Sequence, residues 1–424
     1  MIDLPIGWAE TTLGALGNYW NGRGFKKAEW RPEGQGRQII RIQDLTGSHQ
    51  RPNFFDGTVE ERNVARKGDI LVSWAATLGV FEWPGPEAVI NQHIFKVDTF
   101  INHRFHRYLI ESTLSDLRRR SHGTGMVHVT RAVFDETPVW LPPLPEQERI
   151  VAAIEEQFSR LDQAEHLLGG ARRRAERLRM AAMATATSGD WPVKALADVT
   201  AKQEYGSSAK ASAKQANGVP IVRMGNIQDG QVDLSRDVKY LPPDHPDAAR
   251  YALRDGDLLF NRTNSPELVG KSAAFRGSPA RACFASYLIR VQLDDRCLPE
   301  WASLYLNSPS GRRWAASVRS QQVGQANING SKLAAMPLPL PPVDEQHRIL
   351  SEFQRQVSLV ESATAVVDRA LIRAGHLRRA ILARAFSGQL VPQDPSDEPA
   401  PELLARLRAE TSVKPNGSRR RKQP

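Results

Sequence analysis

Two sets of polar and basic side chains, one in each half of the sequence, have the chemistry that nucleic-acid recognition needs. Amide, imidazole and hydroxyl groups can hydrogen-bond to base edges, while lysine and arginine can neutralise phosphates. The first set is Lys26, Lys27, Arg41, Gln43, Gln92, His93, Thr124 and His128. The second set is Lys210, Arg223, Asn226, Arg262, Asn264, Ser286, Gln325 and Asn327. A solvated surface role is the more common outcome for any single member, so the hypothesis depends on each set as a whole.

Patterns for catalysis or metal binding are incomplete in this sequence. The glycine pair that begins at Gly22 lacks the third glycine and the strand-to-helix context of a dinucleotide loop. Asp257, Glu267 and Lys271 are close in sequence, but their spacing differs from that of nuclease carboxylates. His103 and His106 have no second pair of ligands, so we expect no metal site. The methyl-transfer signature of Asn or Asp followed by Pro-Pro and an aromatic residue is absent, so we expect no catalytic residues.

The composition favours a polyanionic partner. The 424 residues carry a net charge of +10 and the pI is about 9.7, although a merely basic soluble protein would share these values. Cys283 and Cys297, the two cysteines, lack metal-ligand spacing and favour a reducing compartment, so we expect a cytoplasmic location. Neither a signal peptide nor an apolar run long enough to span a membrane is visible, so we expect no membrane partner.

Two long helices that the sequence repeats must position the candidate residues. Residues 141–150 read LPPLPEQERI, and residues 340–349 read LPPVDEQHRI. Proline is tolerated at the start of a helix, and a glutamate in the first turn interacts favourably with the helix dipole. Gly189 and Gly388 lie where a helix C-terminus favours a left-handed residue. We therefore predict spacer helices within residues 142–189 and 341–389.

Each predicted helix carries an apolar seam at alternating steps of four and three residues. This spacing is typical of a coiled coil, although a solvated helix with one apolar face on its own domain would show it too. The predicted seam includes Ile150, Ile154, Leu161, Leu168, Leu178, Ile349, Phe353, Val360, Val367 and Leu377. Each rod would be roughly 65 Å long, whereas a globule of the connecting size has a radius of gyration near 15 Å. The connection therefore favours antiparallel helices, with one globule at each end.

The remaining segments read as two copies of one mixed α/β domain, over residues 1–141 and 190–340. Ile40-Arg41-Ile42 matches Val222-Arg223-Met224, and a Gly-Asp pair precedes an apolar strand in both copies. We predict an α+β fold with pseudo-two-fold symmetry, in which divergent loops give two sites of one kind with different preferences. Residues 390–424 form a tail, with one short helix near residues 402–410 and a basic end, Arg419 to Lys422, that we expect to be disordered.

Together these motifs resemble the specificity subunit of type I restriction-modification enzymes. The resemblance rests on the repeated Pro-Pro-x-x-Glu-Gln helices, on the glycine-containing loops before them (residues 123–125 and 323–328), and on the run from Gly256 to Asn264 followed by Val269-Gly270-Lys271. It covers residues 1 to about 410 and implies two target recognition domains separated by two spacer helices. The first domain departs from the pattern, because Ser73-Trp74 stands where the second has Asn261-Arg262.

The resemblance also implies partners and cofactors. It implies a non-catalytic subunit in bacterial defence that recognises a bipartite target in double-stranded DNA. The subunit would position two methyltransferase subunits that use S-adenosylmethionine, and in some complexes restriction subunits that use ATP and Mg. The chain itself would bind no cofactor. Two alternatives stay open: a specificity partner of a methyltransferase-only or other non-type-I system, and a non-enzymatic coiled-coil scaffold that binds protein.

Overall fold

Two units with the same kinds of parts make up the fold. The computed structural model describes residues 4–48, 51–120, 129–213, 217–322 and 325–413. Unit 1 consists of Met1–Leu167 and Ala370–Pro424, and unit 2 consists of Leu168–Arg369. Each unit contains one α+β domain, part of one long helix and the complementary part of the other, as the predicted repeat requires.

The first repeat begins with a strand that later pairs with the strand before the first long helix. Its elements, in chain order, are β1 (Ala9–Thr12), α1 (Leu13–Leu16), β2 (Gly17–Asn21), β3 (Arg37–Ile40), α2 (Ile42–Leu45), β4 (Asn53–Phe55), β5 (Val64–Ala65), β6 (Ile70–Ser73), β7 (Gly79–Glu82), β8 (Ala88–Ile90), β9 (Ile94–Thr99), α3 (His103–Arg120), α4 (Arg131–Asp135), β10 (Pro138–Leu141) and α5 (Leu144–Ala186). An antiparallel sheet has the order β2-β9-β6-β7, and a mixed sheet has the order β4-β3-β8-β5. Strand β1 pairs antiparallel with β10.

The second repeat has the same framework with additional short strands. Its elements are β11 (Val193–Ala195), β12 (Thr200–Tyr205), β13 (Val219–Val222), β14 (Ile227–Gln228), β15 (Gln231–Val232), β16 (Lys239–Leu241), α6 (Pro246–Arg250), β17 (Leu258–Asn261), β18 (Thr263–Asn264), β19 (Ser272–Ala274), β20 (Cys283–Phe284), β21 (Leu288–Leu293), α7 (Pro299–Asn307), α8 (Pro309–Val318), β22 (Ser320–Gln322), β23 (Gln325–Asn327), α9 (Gly330–Ala334), β24 (Pro337–Pro339) and α10 (Val343–Ala385). The sheet β12-β21-β17-β19 corresponds to β2-β9-β6-β7, and β16-β13-β20 corresponds to β4-β3-β8. A further helix, α11 (Ala400–Val413), belongs to unit 1.

An ion pair occurs at the same place in both domains, half-buried in unit 1 and buried in unit 2. Lys96 Nζ lies 3.3 Å from Asp69 Oδ2 in unit 1. In unit 2, Arg290 Nη1 lies 3.0 Å from Asp257 Oδ2, and both side chains are buried. Each pair joins the central strands of its antiparallel sheet to the turn before β6 or β17. The two domains therefore share this side-chain ion pair as well as the backbone framework.

The two long helices, α5 and α10, each contain 43 residues and pair antiparallel, which confirms the predicted direction. In unit 1, Arg378 near the end of α10 forms ion pairs with Asp162 and Glu165 of the first half of α5. In unit 2, Arg172 Nε of α5 lies 3.5 Å from Asp368 Oδ1 of α10. Residue numbers increase along one helix as they decrease along the other.

The repeated glutamine explains why the two helices start alike. Gln147 is fully buried, and its amide donates to the Pro142 carbonyl (3.0 Å) and accepts from the Asn102 N–H (3.4 Å). Gln346 is also fully buried and joins the Pro341 carbonyl (2.8 Å) to the Leu298 N–H (2.8 Å). Each glutamine thus ties the first turn of a long helix to the start of α3 or α7.

The predicted seam is wrong at two of its ten named positions, one in the second half of each helix. Ile150, Ile154 and Ile349 are buried, and Leu161, Leu168, Phe353, Val360 and Val367 are half-buried. Leu178 and Leu377, however, are 55% and 43% exposed. The next residue is more buried in each case: Arg179 pairs with Asp229 of the unit 2 domain, and Arg378 pairs with Asp162 of α5. The guanidinium of Arg378 lies 4.8 Å from the Phe158 ring centroid, so a long arginine stem occupies a place that residue type alone assigns to leucine.

The C-terminal segment packs into unit 1. Helix α11 extends beyond the predicted residues 402–410, and its Ala400, Leu403 and Leu404 are buried in the same hydrophobic core as Phe158. The Ala400 N–H donates to the Gly7 carbonyl (2.8 Å). The basic end of the tail lies outside the described residues. Among the helices in the described part of the chain, none is both long and apolar enough to cross a membrane.

Candidate nucleic-acid interface

Several loops of unit 2 meet beside one end of its antiparallel sheet. The Ala285 N–H donates to the Val222 carbonyl (2.9 Å), and the Arg262 N–H donates to the Tyr287 carbonyl (3.0 Å). These bonds join the loops that follow β13, β17 and β20. The loop after β12 is equally close, because a Cβ at Gly206 would collide with the Phe284 carbonyl. The backbone therefore holds four loops in a defined arrangement.

The same arrangement occurs in unit 1. The Asn91 N–H donates to the Ile40 carbonyl (3.0 Å), and the Trp74 N–H donates to the His93 carbonyl (3.3 Å). A Cβ at Gly22 would collide with the Asn91 carbonyl, so the glycine pair that resembles a dinucleotide loop serves close backbone packing instead. We call this set of loops the reading edge of each unit.

A cavity of about 270 Å³ lies at the reading edge of unit 2. Its lining combines basic, amide and exposed apolar side chains. The lining residues are Arg223, Met224, Gly225, Ile227, Gln228, Asn264, Leu268, Lys271 and Tyr287. Two predicted DNA-binding residues, Arg223 and Asn264, thus share one cavity.

Arg262 lies next to this cavity in sequence and structure. Its guanidinium carbon is 4.6 Å from the Tyr205 ring centroid, and its Nη1 donates to the Ser286 carbonyl (3.4 Å). The Tyr205 ring is 43% exposed, and its hydroxyl accepts from the Gly330 N–H (2.9 Å). The predicted residues Arg262 and Ser286 are therefore brought together beside an exposed aromatic ring, a combination that suits nucleic acid.

The other predicted residues of unit 2 lie around this cluster, with one exception. Asn327 donates its amide to Thr263 Oγ1 (2.7 Å), and the exposed Gln325 lies on the same strand, β23. Lys210 is exposed in the loop after β12. Asn226 is 3% exposed, and its amide group donates to the carbonyls of Asp233 and Arg236 while its Oδ1 accepts the Arg223 N–H. Asn226 is therefore a structural residue, and its prediction as a DNA contact is wrong.

The first set gives a smaller cluster in unit 1. Gln92 Nε2 lies 3.2 Å from His93 Nε2, and the His93 ring centroid is 5.3 Å from that of Trp74. Lys26 and Lys27 are exposed beside this edge, in the loop that follows β2. Gln43 is half-buried in α2. Thr124 and His128 lie outside the described residues.

Arg41 has a structural role that its residue type did not reveal. Its Nε lies 3.1 Å from Asp44 Oδ2 and its Nη2 lies 3.3 Å from Asp44 Oδ1, so the pair is bidentate. The side chains are only 13% and 5% exposed. The Arg41 N–H also donates to Asp44 Oδ2 (2.9 Å). This capping arrangement corresponds to Arg223 and Asn226 in unit 2. It gives the Arg41 guanidinium an internal partner, and the contact of Arg41 with DNA stays a prediction.

Sequence reasoning missed several residues of the unit 2 cavity. Tyr287 is the repeat counterpart of His93, which is a predicted DNA-binding residue, so the repeat itself indicated Tyr287 as a candidate. The types and spacing of Lys271 and Gln228 did not indicate DNA contacts. The two side chains meet only in the fold, where Lys271 directly precedes β19 and Gln228 lies in β14. Met224 and Leu268 are 37% and 39% exposed and form an apolar rim.

Asp257, Cys283 and Cys297 are held in structural roles. Asp257 is 3% exposed and accepts hydrogen bonds from Arg290 (3.0 Å), Gln292 (2.9 Å) and the Arg254 N–H (2.9 Å). Burial raises the pKa of Cys283 and of Cys297 to about 12, so both thiols stay protonated near neutral pH. These groups offer neither a reactive thiolate nor an accessible carboxylate.

A duplicated α+β domain on paired long helices, with a polar and aromatic reading edge in each copy, defines a nucleic-acid recognition protein. The family model described as "Type I restriction modification DNA specificity domain" matches residues 5–166 and 188–364. The chain therefore belongs to the family of type I restriction-modification specificity subunits, which recognise DNA and are not themselves catalytic.

Individual relatives agree with this membership. The chain is 22% identical over 453 residues to the type I restriction enzyme EcoBI specificity subunit of Escherichia coli, with 97% of this chain and 94% of that protein covered. It is 27% identical over 338 residues to the EcoKI specificity subunit of Escherichia coli strain K12, with 74% and 72% covered. A solved chain from work on complex assembly and conformational transition of the type I R-M system has the same fold. Its TM-score is 0.66 at 21% identity, with 91% of this chain and 99% of that chain covered.

Proposed function

We propose that each unit reads one half of a bipartite, asymmetric target in double-stranded DNA, and that the chain acts as the specificity subunit of a type I restriction-modification complex. The observation that carries this proposal is that one reading edge is built twice with different side chains. Arg262 and Tyr287 in unit 2 stand where Trp74 and His93 stand in unit 1. A shared backbone with different side chains suits the same docking geometry and different base preferences.

The partners follow from the same duplication. Two methyltransferase subunits, which use S-adenosylmethionine, each engage one copy of a repeated surface, because a partner that fits one copy also fits the other. In some complexes restriction subunits that use ATP and Mg join as well, and the assembly acts in the cytoplasm. Native mass spectrometry of the co-expressed proteins is expected to show two methyltransferase subunits for each copy of this chain. A stable one-to-one complex that methylates both half-sites would contradict the two-copy proposal.

Exchange of a recognition domain tests modular reading. Residues 1–141 are replaced with the corresponding domain of a relative that has a known target, and methylated sites are mapped by sequencing. We expect one half-site to change and the other to stay the same. If both half-sites change together, the units do not read DNA independently.

Salt dependence distinguishes DNA recognition from a protein-binding scaffold. The logarithm of the affinity for duplex DNA is expected to fall linearly with the logarithm of the salt concentration, as phosphate contacts release counterions. The measurement uses the co-expressed complex on duplexes with and without the mapped target. A complex that shows no salt-dependent duplex binding would support the scaffold.

A further inference from the structure

Two arginines of unit 2 hold the loop from Ser265 to Gly270, which we call the clamped loop. Arg312 donates from Nη1 to the Val269 carbonyl (2.7 Å) and from Nη2 to the Glu267 carbonyl (2.7 Å). Arg319 donates to the Pro266 carbonyl. These guanidinium groups are used inside the domain, and they fix the backbone of a loop that forms one wall of the 270 Å³ cavity.

The clamped loop and its flanking residues present Asn264, Leu268 and Lys271 to the cavity. Lys271 Nζ donates to Gln228 Oε1 (3.4 Å), and Gln228 Nε2 donates to the Gly225 carbonyl (2.9 Å). The Gln228 amide thus connects the Lys271 ammonium group to the backbone. The ammonium group keeps two further protons for a ligand.

Several acceptors among the lining residues are already used. The Met224 carbonyl accepts from Asn261 Nδ2 (3.3 Å), and the Asn264 Oδ1 accepts from the Ser265 N–H (2.8 Å). The Tyr287 carbonyl accepts from the Arg262 N–H (3.0 Å). The guanidinium of Arg223 donates one N–H to the Asp237 carbonyl (2.9 Å). Further donors remain on this guanidinium, on Lys271 and on the amide of Asn264. The cavity therefore favours a ligand that presents acceptors.

Guanine and phosphate both present acceptors, and the rim of the cavity distinguishes them. In the major groove guanine offers two acceptors, O6 and N7, whereas thymine offers only O4, and adenine and cytosine each offer an amino donor. Met224, Leu268 and Tyr287 are 37%, 39% and 47% exposed and give the rim an apolar and aromatic character. A base ring can contact such a rim, whereas a phosphate gains nothing from it.

We propose that the unit 2 cavity reads a guanine in its half-site, that Lys271 is a specificity-determining residue for that base, and that Gln228 and Arg312 are positioning residues. This inference rests on the proposed function of unit 2 as the reader of one half-site. It assigns a direct contact to Lys271, a side chain that lies beyond the polar set recognised from sequence.

The test uses the full chain co-expressed with its methyltransferase partner. The methylated target of the wild-type complex is mapped first, and binding is then measured to duplexes that carry each base at every position of the unit 2 half-site. Lys271→Ala is expected to reduce discrimination at one guanine position by roughly tenfold and to leave the unit 1 half-site unchanged. Lys194→Ala, which removes an exposed lysine elsewhere in unit 2, is the charge-matched control.

The outcomes separate this inference from the proposed function. A uniform loss of affinity over all sequences, with a salt slope reduced by about one, would identify a phosphate contact and overturn the guanine assignment. Unchanged discrimination by a specific complex would overturn it as well, while the general function would stand. A wild-type complex without any sequence preference would instead contradict the proposed function.

Arg312→Ala tests the clamp separately. We expect it to relax discrimination at the same guanine position, and we expect the double variant with Lys271→Ala to lose little more than Lys271→Ala alone. Thermal unfolding is measured in parallel. A lower melting temperature with unchanged base discrimination would limit Arg312 to a structural role and overturn its assignment as a positioning residue.

Discussion

Gln393 donates its side-chain amide to Glu146, with Nε2 3.3 Å from Oε1, although 247 residues separate them in sequence. The indole N–H of Trp8 donates to the other oxygen of Glu146 (3.0 Å), and burial raises the pKa of this carboxyl group. Arg149 Nη2 lies 2.7 Å from Asp397 Oδ2 beside it. The segment after α10 is thus joined to both the N-terminal region and the start of α5.

We predict that the C-terminal helix α11 stabilises unit 1. Leu404 is 5% exposed, so Leu404→Asp places a charge in the core and is expected to cost several kcal/mol. Thermal unfolding of the full chain measures the effect. Arg408→Ala, on the exposed face of the same helix, is the control and is expected to change stability by less than about 0.5 kcal/mol. Equal melting temperatures for the two variants would show that α11 contributes no packing.

The observed helix seam predicts a large difference between two positions of α5. Phe158 is 7% exposed and contacts the Arg378 guanidinium, so Phe158→Ala is expected to cost about 3–5 kcal/mol. Leu178 belongs to the apolar pattern but is 55% exposed, so Leu178→Ala is expected to cost less than about 1 kcal/mol. Urea unfolding measures both. If Leu178→Ala lost more unfolding free energy than Phe158→Ala, the seam predicted from sequence would be supported instead.

The repeated glutamine predicts matched effects in the two units. Gln346→Ala leaves the Leu298 N–H and the Pro341 carbonyl without their side-chain partner, and we expect a loss of about 1–3 kcal/mol. Gln147→Ala is expected to have a similar effect in unit 1. Gln354→Ala, at an exposed position of α10, provides the control. Hydrogen exchange resolved by segment assigns each effect to its unit; protection that is unchanged near Leu298 would argue against this role of Gln346.

His106 predicts a pH-dependent stability of unit 1. Burial, together with the positive charge of His103, lowers the pKa of His106 to about 3, and both ring nitrogens lie 2.8 Å from the hydroxyls of Tyr19 and Thr99. The unfolded chain binds a proton on this histidine near pH 6.5, whereas the folded chain binds it near pH 3. Within this window the unfolded state holds more protons, so stability rises with pH and levels off above about 6.5.

The measurement compares the free energy of unfolding of the wild type and His106→Gln from pH 4 to pH 8. The variant is expected to be less stable at pH 8, but its stability should fall less as pH decreases, because glutamine does not titrate. His103→Gln, at an exposed position of the same helix, is the control and is expected to keep most of the wild-type slope. Parallel curves for the wild type and His106→Gln would show that His106 does not contribute to the pH dependence.

The long helices could be predicted because the responsible signals are local or repeated, and their antiparallel direction could be predicted because the connecting domain is short compared with the helices. Proline and glycine mark the helix ends, and a period near 3.5 residues marks the inward face whatever lies opposite. Two of the ten named seam positions, Leu178 and Leu377, are nevertheless exposed. The sequence pattern counts apolar residue types, whereas the folded helices also bury the stems of Arg179 and Arg378 where acidic partners satisfy their charges.

In the candidate interface, too, some features could be predicted from residue types and others depended on the fold. The repeat and the residue types by themselves determined that each half of the chain carries a polar surface suited to DNA, and they placed Arg223, Arg262 and Asn264 on it. Only the tertiary structure decided that Asn226 and Arg41 satisfy backbone groups and an aspartate, and that Lys271 and Gln228 meet at one cavity. The physical reason is that a side chain's chemistry depends on its residue type, whereas its free donors and acceptors depend on which groups the fold brings beside it. These partners lie only three to ten residues away for Arg41 and Asn226, but 43 residues separate Gln228 from Lys271.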